Sequence, residues 1–291
     1  MTHPTQPPLL TSLQNPLVKE VVRLRQRSHR DDSGRLIVEG YRELKRALDN
    51  HVPVLELFHC PALYQGKNEP HLVERCRAAG AAVHECTPPV FMKIAYRDRP
   101  EGLLALCPQI RRTLADLRLP ANPFLVVGEH IEKPGNLGTM LRTSDAAGVD
   151  ALIVADPCTD LNNPNVVRAS IGTLFTVPVA QATTAETIAY LRARGIRSLA
   201  ASPHATKNYT DVDMTGPIAI VVGAEQYGLS DQWMSRADHL VRIPMLGQAD
   251  SLNVAAAATI LLYEVVRQRR RPVPPPPPDD YIRPHTLPPS P

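Results

Sequence analysis

Three loops in the second half of the chain carry residue types that can do chemistry, and each follows a short apolar run. The first reads Gly128-Glu-His-Ile-Glu-Lys-Pro-Gly-Asn-Leu-Gly-Thr-Met-Leu-Arg and ends at Arg142. Asn136 falls where a helix should start, with Arg142 six residues further on, nearly two turns into that helix. Gly135 and Gly138 let the backbone approach a ligand closely. The second loop is Val222-Gly-Ala-Glu-Gln-Tyr-Gly-Leu-Ser, in which Gly223 and Gly228 bracket the acid Glu225. The third runs from Val241 through Ile243-Pro-Met-Leu-Gly247 to Ser251-Leu-Asn253 and an alanine-rich helix. Ser and Asn at a helix start offer side-chain oxygens to free N–H groups, or leave those groups for an acceptor on a ligand. Taken singly, each feature has an ordinary reading as well: caps for Asn136 and Asn253, a solvated acid for Glu225, a surface cation for Arg142. The first loop lacks the Gly-Lys-Ser/Thr of a phosphate loop and the GxGxxG of a dinucleotide fold.

Such loops work when a sheet holds them in register, because ligands of open α/β sheets bind beyond the carboxyl ends of the strands. The patterning predicts strands over 124–127, 151–155, 175–179, 198–201, 218–223 and 240–243. It predicts helices over 136–147, 185–194, 230–235 and from Asn253 to about Arg267, with a helix or turn over 166–173. Residues 218–222 are apolar throughout, as expected when both sheet faces are covered. The expected fold is therefore α/β, with a mostly parallel sheet between helices.

Residues 11–110 form a smaller alternating unit. Leu17, Val18, Val21, Val22 and Leu24 make one apolar helical face, with Lys19, Arg23, Arg25, Arg27 and Arg30 outside it. A turn over 31–34, a strand over 36–40, a helix over 41–48 and a strand over 52–60 follow. A helix over 69–79, a strand over 81–86, a short helix over 88–95 and a strand over 103–107 complete the unit. Residues 111–123 read as a polar linker, and residues 1–10 and the proline-rich tail 271–291 as disordered.

The length of 291 residues favours two domains, and a net charge of +3 neither requires nor excludes a polyanionic partner. The five cysteines show no CxxC or Cys/His ligand spacing, so reduced thiols in or near the core are expected, and no metal. No signal peptide and no run able to span a membrane is visible, which makes the cytoplasm the expected compartment.

In their order and spacing the three loops resemble the three motifs of the SpoU (TrmH-type) branch of the SPOUT RNA methyltransferases. Motif one is matched by Asn136, Gly138, Arg142 and Gly148, and motif two by Gly223, Glu225, Gly228, Leu229 and Ser230. Motif three is matched by Ile243, Pro244, Met245, Gly247, Ser251, Leu252, Asn253 and Glu264. Between them, residues 163–172 are similar to the family's Arg-Ala-Ser-x-Gly segment, so the resemblance spans about Phe124 to Arg267. Two positions depart from the pattern: Ala255, where a small hydroxyl residue is usual, and Glu132-Lys-Pro-Gly before Asn136. Asn15-Pro-Leu-Val-Lys and Val38-Glu-Gly-Tyr-Arg resemble the family's N-terminal substrate-binding domain, similar to ribosomal protein L30e.

The resemblance implies a C-terminal domain, 124–270, with a deep trefoil knot, and an L30e-like RNA-binding domain over 11–110. It implies methyl transfer from S-adenosyl-L-methionine to a ribose 2′-hydroxyl, with 23S ribosomal RNA the expected substrate and transfer RNA the alternative. A non-catalytic RNA-binding or ribosome-assembly protein on the same fold is the competing reading. The implied catalytic residues are Arg142, Asn136, Glu225, Ser251 and Asn253, with Arg142 acting as base or as holder of phosphate and ribose. Gly223, Ile243, Leu252, Met245 and Gly247 are the implied cofactor contacts. Lys19, Arg23, Arg25, Arg27, Arg30, Arg42 and Arg168 are the candidate RNA contacts, although a charged, solvated helix face explains the first five equally well. A homodimer is implied, in which an arginine of one chain serves the other.

Overall fold

The computed structural model describes residues 8–269. The chain opens with α1 (Pro16–Arg23), capped by the Asn15 side chain on the Leu17 N–H, and α2 (Arg27–Ser33). The turn expected over 31–34 is the last turn of α2, which Gly34 ends in the left-handed conformation (φ 66°). Then follow β1 (Arg35–Glu39), α3 (Tyr41–Asp49), β2 (Glu56–His59), α4 (Glu69–Ala78), β3 (Ala82–Glu85), α5 (Pro88–Ile94) and β4 (Leu103–Pro108). The strand expected over 52–60 is shorter, because Pro53 has no N–H to give a ladder. The four strands form one sheet in the order β1-β4-β2-β3. Leu10, expected in a disordered leader, is buried and pairs with Cys86 beside β3, so an apolar anchor holds the end of that stretch on the sheet. Residues 1–7 and the proline-rich tail from 270 onward lie outside the described residues.

The linker is folded onto its neighbours. Thr113 and Asp116 close a capping box around a 3-10 turn, and Leu117 is buried. Beyond it come β5 (Phe124–Glu129), α6 (Pro134–Ala147), β6 (Ala151–Ala155), α7 (Pro164–Ala169), β7 (Val179–Ala182) and α8 (Thr184–Ala193). The chain ends with β8 (Arg197–Ala201), β9 (Lys207–Asn208), β10 (Ile218–Val222), α9 (Asp231–Arg236), β11 (His239–Arg242) and α10 (Val254–Arg269). The strand expected over 175–179 begins only at Val179; Thr173–Phe175 is a 3-10 turn and Pro178 cannot donate to the ladder.

These strands form a seven-stranded sheet, β7-β6-β5-β10-β8-β11-β9, with every pair parallel. In β5, Phe124 and Val126 point into one apolar layer, and Leu125 and Val127 into the other. Both faces are thereby covered, the arrangement the apolar strand runs predict. The order is interleaved: β10 inserts between β5 and β8, and β11 between β8 and β9. Late strands thus enter gaps left by earlier ones and bring loops distant in sequence to one edge.

The two sheets share a core and several polar ties. The Arg30 guanidinium donates to Asp160 and to the carbonyls of Leu24 (2.8 Å) and Arg25 (2.9 Å). Asn162 bonds Ile110 through both backbone groups (2.8 and 3.2 Å), and the Asn165 amide donates to the Tyr96 hydroxyl (2.8 Å). Gly172 (φ 79°) admits α3 so closely that a Cβ there would stand 2.8 Å from Glu43 Cα. Four cysteines are buried as expected, whereas Cys158 is exposed. Burial pushes the Cys76 and Cys86 thiols up to about 11 and about 12, as befits inert core thiols.

Candidate active site

The loops after β5, β10 and β11 meet around the first turn of α6. Pro134 begins that helix, where its missing N–H costs nothing, and Lys133 is the residue before it. Asn136 is therefore the third helical residue rather than its cap, and its side chain is released for other work. Its amide donates to the Glu225 carboxylate and its oxygen accepts from Asn253 Nδ2 at 3.2 Å. Asn253 is a cap: its Oδ1 accepts from the N–H groups of Ala255 (3.0 Å) and Ala256 (3.3 Å) at the start of α10. One hydrogen-bonded chain, Glu225–Asn136–Asn253, thus ties the three loops together. α6 and α10 stay joined one turn and more along, where Thr143 and Thr259 hydroxyls are 3.2 Å apart.

Glycine shapes the site at two positions. A Cβ on Gly223 would stand 2.3 Å from the Gly228 carbonyl oxygen and 2.5 Å from the Leu229 nitrogen. The second loop is therefore folded tightly back on the end of β10, closed by the Gly228 N–H on the Ala224 carbonyl (3.0 Å). A Cβ on Gly138 would meet Ala169 Cβ at 2.4 Å, which is how α7 packs against α6. Ser230 is held by a group that sequence reasoning missed, the fully buried Glu129. Its carboxylate accepts from the Ser230 hydroxyl (2.7 Å) and N–H (2.8 Å) and from the Thr184 hydroxyl (2.6 Å). Lys133, noted only as a departure from the family pattern, forms an ion pair with Glu225, whose hydrogen bond and charge raise the lysine's pKa. A lysine next to a lone acid is too common a pairing for sequence to single out.

The expected cofactor contacts lie on the loops that follow β10 and β11. Gly223 follows β10, Ile243 and Met245 follow β11, and Leu252 precedes α10. Ile243 and Met245 are half-buried, and Leu252 keeps 38% of its surface exposed. Gly247 and Ser251 are exposed in the loop before α10. Arg142 is exposed on α6. Six residues of helix turn it about 120° and carry it about 9 Å from Asn136, off the face that meets Asn253.

The expected RNA contacts separate. Lys19, Arg23, Arg27 and Arg168 are exposed, and Arg42 is half-buried on α3. Arg25 turns its guanidinium to the carbonyls of Lys93 (2.9 Å) and Ala95 (2.6 Å). Arg30 is a correction. Expected on the outer helix face, it is only 2% exposed and spends its charge on Asp160. The break between α1 and α2 turns it inward, which a single continuous helix could not have done.

An all-parallel sheet with three hydrogen-bonded loops at its carboxyl edge is an α/β architecture of the kind that binds ligands at that edge. The chain belongs to the SpoU rRNA Methylase family, whose model matches residues 123–263, and residues 15–105 match the MRM3-like substrate binding domain. It is 33% identical to an uncharacterized tRNA/rRNA methyltransferase of Synechocystis sp., over 85% of this chain and 89% of that protein. It is 31% identical to the 23S rRNA (uridine(2479)-2′-O)-methyltransferase of Streptomyces viridochromogenes, over 79% and 82% of the two chains. Its fold is similar to the AdoMet-bound rRNA methyltransferase of Sinorhizobium meliloti, with a TM-score of 0.82 at 33% identity, covering 89% of this chain and 97% of that one.

Proposed function

We propose that this chain is an S-adenosylmethionine-dependent methyltransferase that methylates a ribose 2′-hydroxyl in 23S ribosomal RNA. The observation that carries the reading is the Glu225–Asn136–Asn253 chain, which joins residues of all three motifs at the carboxyl edge of the sheet. The methyl donor fits here on a physical ground. Ile243, Met245 and Leu252 each remain partly uncovered in the loop between β11 and α10, and Gly247 has open space where a side chain would stand. A purine and its ribose would cover that apolar surface, with the backbones of Gly223, Ile243 and Leu252 as polar partners. When bound, S-adenosylmethionine supplies an electrophilic methyl group on a sulfonium.

The chain's own residues must then orient a weak nucleophile and let its proton leave. Asn136 is fixed by both neighbours, so its amide is a preset orienting group for the ribose, and Ser251, exposed two residues before Asn253, is assigned to support it. A guanidinium holds its proton and binds phosphate well. We therefore assign Arg142 to gripping the phosphate beside the target ribose, leaving a phosphate oxygen or water to take the proton. Because Arg142 leaves α6 on a different face from Asn136, it serves the site of a second copy in a homodimer. Lys19, Arg23 and Arg168 extend the cationic grip on RNA, whose affinity should fall steeply with salt. The interleaved strand order supports a knotted C-terminal unit.

The test is methyl transfer from labelled S-adenosylmethionine to unmodified 23S rRNA, with the 2′-O-methyl position mapped. Incorporation that Asn136→Ala abolishes is expected. Binding of S-adenosylhomocysteine without any methylation of ribosomal RNA, under conditions where transfer RNA is methylated, would refute the substrate assignment.

A further inference from the structure

Tyr227 sits on the second motif loop, two residues after Glu225, with 79% of its surface exposed. Its ring and hydroxyl make no hydrogen bond or ring contact among the described residues. Yet the loop that carries it is rigidly placed. The Ala224–Gly228 bridge closes the turn, Gly228 takes φ 69°, and the turn folds so tightly over Gly223 that no side chain fits between. Glu225 inside the turn is pinned from two sides, by Asn136 and by Lys133. A large aromatic side chain is thus displayed to solvent from a fixed backbone at the mouth of the methylation site. Burying that ring within the chain would gain free energy, and the loop forgoes it.

We propose that Tyr227 is a stacking platform for an unpaired nucleobase of the RNA, next to the ribose that Asn136 orients. The inference rests on the proposed methyltransferase function. Unstacked bases in single-stranded RNA are held on aromatic faces, and a phenol offers such a face without specifying the base edge. The Lys133 ammonium, which is paired with Glu225 two residues before Tyr227 and is 69% exposed, adds positive charge for the backbone of the same nucleotide.

The test uses the full chain, unmodified 23S rRNA transcript and S-adenosylmethionine. Tyr227→Ala should raise KM for RNA by about 5- to 150-fold, the range of one lost base stack. Its kcat at saturating RNA and its affinity for S-adenosylhomocysteine should stay at the wild-type level. Tyr227→Phe and Tyr227→Trp should restore KM. The chain's single tryptophan, Trp233, is buried, so Tyr227→Trp adds an exposed reporter whose fluorescence the transcript should quench. An unchanged KM in Tyr227→Ala, or no quenching in Tyr227→Trp, overturns the proposal. So does a raised KM that comes with a halved mass in sedimentation, which would make Tyr227 a subunit contact. Quenching by RNA in a protein that transfers no methyl group leaves the stacking intact and overturns the enzymatic reading instead.

Discussion

Asn253 Nδ2 donates to Asn136 Oδ1 at 3.2 Å, while the same Asn253 side chain caps α10 through its oxygen. One amide therefore does two jobs, and its two atoms can be separated by mutation. Asn253→Asp keeps the acceptor for Ala255 and Ala256 but sets an oxygen against Asn136. Thermal unfolding should place it within about 0.5 kcal/mol of wild type, because Asp and Asn cap equally well. Methylation at saturating substrates should fall about tenfold or more, the cost of a lost site hydrogen bond. Asn253→Ala should lose the same activity and about 1 kcal/mol of stability as well.

The different faces of α6 occupied by Asn136 and Arg142 predict complementation between subunits. Arg142→Ala and Asn136→Ala should each be inactive alone. If Arg142 acts across a dimer, a mixed dimer has one site with neither lesion. Random re-pairing of equal amounts should then recover about a quarter of wild-type sites. Action within one chain leaves every mixed site damaged, and an assay of the mixture would show no recovery.

Arg30 is expected to matter for stability and not for RNA binding. Arg30→Ala strands the Asp160 carboxylate, which is only 10% exposed, and should cost about 3–5 kcal/mol in chemical denaturation. Replacing both partners by apolar residues, Arg30→Met with Asp160→Leu, should cost less. The salt dependence of RNA binding should keep its slope in the folded double variant, because no phosphate contact is removed.

The small sheet should weaken in mild acid. Burial holds the His59 imidazole below its ordinary value of 6.5, and Nδ1 lies 2.8 Å from the Tyr64 hydroxyl. Burial pushes the Tyr64 phenol upward, so the phenol donates and the neutral imidazole accepts. Below pH 6.5 the unfolded chain binds a proton at His59 that the folded chain refuses, and stability falls as pH drops through that window. His59→Gln removes this titration. Its unfolding free energy should vary less between pH 6.5 and about pH 5 than that of wild type.

The sequence alone determined most of the elements and the chemistry of the loops, but not the break between α1 and α2, the 3-10 turn at Thr173–Phe175 or the short β9. Apolar runs such as 218–222 dictate strands covered on both faces, because only parallel, sandwiched strands bury every side chain. Asn136, Glu225 and Asn253 were legible because their three motifs occur in order. Their union was not legible: residues 136, 225 and 253 meet only because β10 and β11 insert between strands laid down earlier. Local signals carry no information about strand order, which is set by the packing of the whole sheet. The same limit explains Arg30, Glu129 and Lys133. A helix break turns Arg30 inward, whereas Glu129 and Lys133 acquire meaning from partners about one hundred residues away. That Asn136 is no cap follows from a local signal, the proline at the first helical position. Pro134 starts α6 two residues early, and that shift frees the amide on which the site is built.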